Sequence, residues 1–113
     1  MQRLIIEMGM GVDLHGQDDT KAARRALEDA LRHAALPVLS RVPEDRIEVQ
    51  VTIGAQRPEK VDCAALKDLL PRGRVTVTAV PGGLDVTDPD TGSVQVVASA
   101  AVEVFLPRPL PEA

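Results

Sequence analysis

Glu7-Met8-Gly9-Met10-Gly11-Val12-Asp13-Leu14-His15-Gly16-Gln17-Asp18-Asp19-Thr20 decides how the rest of the chain is read. Successive strand side chains point to opposite faces, so a strand through this stretch divides it in two. The even positions Leu4, Ile6, Met8, Met10, Val12 and Leu14 are all apolar. The odd positions run Ile5, Glu7, Gly9, Gly11, Asp13 and His15. The even face is therefore predicted to be core. The odd face is predicted to be a groove floored by Gly9 and Gly11, with Glu7, Asp13 and His15 along it. Gly16, Gln17 and Asp18 extend that groove into the start of a helix.

Working outward, the first strand covers about residues 3–14. Asp18, Asp19 or Thr20 can cap the following helix by accepting a first-turn amide hydrogen bond. Ala23, Ala26, Leu27, Ala30, Leu31 and Ala34 form its apolar stripe, and Pro37 ends it near Leu36. Four alanines in that stripe predict a close approach to the sheet. A second strand, Arg46 to Ile53, alternates cleanly. A short helix follows at roughly 61–70, and a third strand runs from Arg74 to Val80. Pro81-Gly82-Gly83 interrupts it, and Leu84–Val86 can resume it before the turn at Asp88–Gly92. The last strand spans Ser93 to about Leu106. The expected fold is α+β: a two-layer sandwich in the order β-α-β-α-β-β. Its four-stranded mixed sheet carries both helices on one face, because parallel crossovers are right-handed.

A chain of 113 residues makes one domain, here residues 1–106 with a Pro-rich tail at 107–113. The net charge of −4 and the lack of Trp and Tyr argue against a nucleic-acid partner. No apolar run approaches the ~20 residues of a membrane span. Cys63 stands alone, which suits a reducing cytoplasm. The core relies on Ala, Val and Leu with a single aromatic residue, Phe105, so help from subunit contacts is expected.

Asp13 and His15 lie two apart on one strand face and can converge on one ligand. A carboxylate and an imidazole can share acid–base work. A buried Glu7 would have a raised pKa and could join them, or could pair with an arginine such as Arg57 or Arg74. The structural alternative has Asp13 capping the turn or the helix. Gly9, Gly11 and Gly16 are too spread out for a dinucleotide loop. Two glycines on one strand face mean close approach of a ligand or of another backbone. Asp18 and Asp19 argue against an anion at the helix start. No cofactor is expected and no residue is assigned as a metal ligand.

Gly-Val-Asp-Leu-His, residues 11–15, resembles the metal-binding start of the cyclodiphosphate synthases. The second histidine motif of those enzymes is missing, since only His33 remains. The order of elements resembles chorismate-mutase-like and YjgF-like trimers, which bind small molecules between subunits. The opening motif with Thr20, Lys21, Ala22 and Arg25-Ala26 is similar to that of a bacterial "Lin" family of small conserved hypothetical proteins. Leu70-Pro71-Arg72-Gly73 and Val80-Pro81-Gly82-Gly83 extend that likeness over nearly the whole chain. The resemblance implies a bacterial protein and supplies no substrate. Together these readings point to a homo-oligomer, a trimer or a multiple of one. It would bind a small polar metabolite between subunits through Asp13, His15 and Glu7, with Gly9, Gly11, Gly16, Gln17 and Asp18 around them. Two alternatives stand beside it: a non-enzymatic accessory protein with the motif as its subunit interface, and a metal-dependent enzyme.

Overall fold

The computed structural model describes residues 1–33, 40–70 and 72–107. The elements follow the expected order with one addition. They are β1 (Gln2–Asp13), α1 (Asp19–His33), β2 (Glu48–Ala55), α2 (Cys63–Lys67), β3 (Arg74–Pro81), β4 (Leu84–Thr87) and β5 (Val94–Leu106). The fold is α+β with a mixed sheet. Leu84–Thr87 does not resume β3. It forms a fifth strand that pairs antiparallel with the start of β5. The expected run of the first helix from residue 34 to about Leu36 and the tail from residue 108 lie outside the described residues.

The sheet order is β1-β5-β2-β3. β5 lies antiparallel between β1 and β2, and β3 runs parallel to β2. β4 takes the place beside β5 that β2 vacates: Gly54 pairs with Ser99, and Leu84 then pairs with Val97. The chain crosses to it at Gly82-Gly83, which pack on Gly54. Gly83 adopts φ +68°, a conformation open to glycine and strained for most residues.

The core lies between the sheet and α1. Ile47, Val49, Val51 and Ile53, at and within β2, meet Val96, Ala98, Ala100, Val102 and Val104 from β5. Ala22, Ala23, Ala26, Leu27 and Ala30 of α1 close it. The apolar face of β2 is thus inward, and Ala23, Ala26 and Ala30 of the expected stripe lie against the sheet, while Ala34 lies outside the described residues.

The face of β1 is the reverse of the expectation. Ile6, Met8 and Met10 are 46, 64 and 58% exposed, while Gly11 and Asp13 are buried. Register explains why. Gly9 and Gly11 pair with Ala100 and Ala98, which face α1. A Cβ on Gly9 would sit 2.5 Å from the Ala26 carbonyl oxygen, and one on Gly11 would sit 2.5 Å from that of Ala22. The helix backbone therefore occupies the groove predicted for a ligand. Turning Met8 and Met10 inward would lift α1 off the sheet. A shift in register between Arg3 and Ile5 adds a bulge at Leu4.

Candidate functional site

Asp13 ends β1 on the helix side and is 2% exposed. Its Oδ2 accepts a hydrogen bond from the Asp18 amide at 2.8 Å. Arg25 and Lys21 stand 3.8 and 4.0 Å from its Oδ1. The Asp18 amide holds the carboxyl below its ordinary value; burial opposes that, and Lys21, Arg25 and the Gly16 amide assist it. A group so firmly ionised and so engaged is a poor proton acceptor near neutral pH. Its geometry suits it to building a turn. It closes the loop 14–18 and delivers the chain into α1. Asp18 then caps that helix, its Oδ1 accepting from Lys21 N at 3.0 Å.

The other residues of the predicted site do not gather around Asp13 as a ligand cage. Gly16 contacts the Asp13 carboxylate, with its would-be Cβ 3.0 Å from Oδ2. His15, Gly16, Gln17 and Asp18 are exposed in the loop, and Gln17 has φ +50°. Gly9 and Gly11 are under α1. Glu7 is half-buried on the helix side of β1. The expected pairing of Glu7 with Arg57 or Arg74 is not made: Arg57 is engaged elsewhere, and Arg74 starts β3 at the opposite edge of the sheet. Among the described residues no three His, Cys, Asp or Glu side chains gather as a metal site. Among the same residues no helix is long and apolar enough to cross a membrane.

One feature escaped the reading of the sequence, and a second was legible only in part. The first is an ionic clamp. Arg57 donates from Nε to Asp19 at 2.9 Å, and from both terminal nitrogens to Asp85 at 2.7 and 3.1 Å. Asp85 and then Asp19 raise the guanidinium further above its already high pKa. Asp19 is 3% exposed, and its Oδ1 has no hydrogen-bond partner among the described residues. Residues 19, 57 and 85 are too far apart in sequence for spacing to signal them.

The second feature is the open face of the sheet. Ile6, Met8, Met10 and Val12 of β1 lie beside Glu103, Ala101, Ser99 and Val97 of β5. Thr52 and Gly54 of β2, Thr78 and Val80 of β3, and Leu84 and Val86 of β4 complete it. Leu4, Ile6, Met8, Met10, Leu14, Val80, Leu84 and Val86 are each between 38 and 64% exposed. Thr52, Thr78 and Ser99 give β2, β3 and β5 polar members on this face; β1 contributes the apolar rib.

This geometry has known counterparts. The conserved hypothetical protein family Lin0512 matches residues 3–104. The chain belongs to that family. The crystal structure of an FtsZ-like protein of unknown function from Nostoc punctiforme PCC 73102 is similar to this Lin0512 chain. Identity is 41%, coverage is 93% of this chain and 95% of that one, and the TM-score is 0.75. No curated protein matches the Lin0512 chain.

Proposed function

We propose that this Lin0512 protein works as a self-associating subunit, with the open face of the sheet packed against a second copy of the chain. The apolar face carries this reading. Scaling its large side chains by their exposed fractions gives roughly 700 Å² of apolar surface, above the ~300–600 Å² of the largest patch on a typical monomer. One side of a standard stable interface is about 800 Å², so the patch has nearly the extent a second copy requires.

Its chemistry favours a like partner. Leu, Ile, Met, Val and Ala with no Trp or Tyr resemble a core cut in half, as in permanent homo-oligomers. The edge of β1, by contrast, is guarded. The Met10 amide donates to Asp29 Oδ2 at 3.1 Å, Arg25 donates to the Val12 carbonyl at 2.6 Å, and a bulge sits at Leu4. Bulges and charged side chains are how edge strands resist pairing. The chain blocks its β1 edge and leaves its face open, which supports face packing over sheet extension at β1.

This reading assigns the motif a structural duty: its glycines admit α1, its Asp13 starts α1, and its even residues form the interface. A small polar ligand at the rim is the second reading. It is favoured by the exposed His15 and Gln17, held at the end of the face by a loop tied through Asp13. In that reading His15 and Gln17, and not the buried Asp13, are the groups presented to the ligand.

Sedimentation velocity tests the proposal. The wild-type chain should sediment as an oligomer at micromolar concentration. Met8→Glu combined with Met10→Glu should sediment as a folded monomer with unchanged far-UV circular dichroism, because both side chains already point outward. A wild-type monomer, or a double variant that still associates, would refute the face reading and leave the loop 14–18 as the candidate working surface.

A further inference from the structure

We infer that Arg57 is the positioning residue of the association surface: its three-way clamp holds β4 so that Leu84 and Val86 complete the apolar face. This inference rests on the reading above.

β4 is four residues long and ends at an exposed turn, so its own pairing holds it weakly. Its side chains alternate. Leu84 and Val86, 57 and 48% exposed, point to the open face in register with Val97 and Gln95. Asp85, between them, is in register with the buried Val96 and points to the other side. There the planar fork of Arg57 takes both carboxylate oxygens.

The fork is aimed from behind. Asp19, the buried first residue of α1, takes the Nε–H, so the guanidinium plane is set by the helix start. The two residues before Arg57 grip the same connection. The Ala55 carbonyl accepts from the Gly82 amide at 3.0 Å, and Gln56 donates to the Gly82 and Gly83 carbonyls at 2.9 and 3.2 Å. The end of β2 thus holds the β3–β4 link at three successive residues, and only Arg57 of the three reaches β4 itself. One guanidinium relates the start of α1, which the Asp13 turn builds, to the far part of the apolar face. A lysine has no planar fork and cannot serve three oxygens in this arrangement.

The test compares association with folding. Asp85→Asn removes the charge that Arg57 grips; Leu84→Ala removes apolar surface directly. Dissociation constants come from sedimentation equilibrium. Unfolding midpoints in urea are measured in the monomeric Met8→Glu, Met10→Glu background. Asp85→Asn should weaken association about tenfold, as Leu84→Ala does, with a small change in the monomer midpoint. Asp85→Glu, which keeps the charge on a longer arm, should fall between Asp85→Asn and wild type and serves if Asp85→Asn does not fold. If Leu84→Ala weakens association and Asp85→Asn does not, or if Asp85→Asn lowers only the monomer midpoint, the inference is overturned and the surface stands. If neither Leu84→Ala nor the methionine pair affects association, the surface itself is wrong and the inference falls with it.

Discussion

Asp13 shows how much of a turn one buried carboxylate can hold. It sits two residues from a histidine in the sequence, yet in the fold it is buried and its carboxylate holds the turn. Its pKa is lowered chiefly by the Asp18 amide, which makes a pH prediction possible. The folded value lies below the ordinary 3.8, so the native state binds fewer protons than the unfolded chain in acid. The stability this carboxylate contributes is complete above about pH 4 and is lost as pH falls through the folded value. Hydrogen bonds to a charged group contribute about 2 kcal/mol, so Asp13→Asn should lower stability at pH 7 by about that much. It should also flatten the loss as pH falls below about 4, all read from urea unfolding of the monomeric background. Some acid slope should survive, because Asp29 is also held low by the Met10 amide and Arg32. An Asp13→Asn chain as stable as its parent at pH 7 would show that the turn does not depend on the charge.

Among the elements, α1 and β1 are matched by smallness. Ala22, Ala26 and Ala30 recur every four residues and meet Gly9 and Gly11, spaced by two along the strand. Gly11→Ala should therefore push the two elements apart. Overpacking costs about 1–3 kcal/mol, and here the obstacle is helix backbone, so a loss near the upper end is expected. In thermal unfolding that is a drop of roughly 10 °C; a much smaller shift would mean that α1 has slack. The strands and helices were legible because periodicity declares them. The inward face of β1 was not. Alternation separates an apolar face from another, but it gives direction only if the apolar one is core, and glycine adds no hydrophobic signal of its own. The pairing of Gly-x-Gly with a helix bearing alanines four apart was the available clue. The remaining site was illegible for other reasons. β4 is too short to stand out after Gly82-Gly83, and the Asp19–Arg57–Asp85 clamp is assembled only by the crossing of the chain over β2.

Across the whole molecule, charge and apolar surface act in opposite directions. Each chain carries a net charge of −4, so two copies repel at long range. The open face bears few charges, among them Arg3 and Glu103, already paired within one chain at 3.2 Å. Contact between such faces gains mainly from apolar burial, at about 25 cal/mol per Å² before the costs of association. Salt separates these contributions. Screening shortens from about 10 Å at 0.1 M to about 3 Å at 1 M, which removes most of the repulsion and leaves apolar burial in place. Raising sodium chloride across that range should therefore tighten self-association by a few-fold in sedimentation equilibrium. An interface held by ion pairs would respond the other way, because the same screening weakens exposed pairs. A dissociation constant that rises with salt would move the contact off the apolar face and onto the charged outer side of α1, where Arg24, Arg25, Glu28 and Arg32 lie.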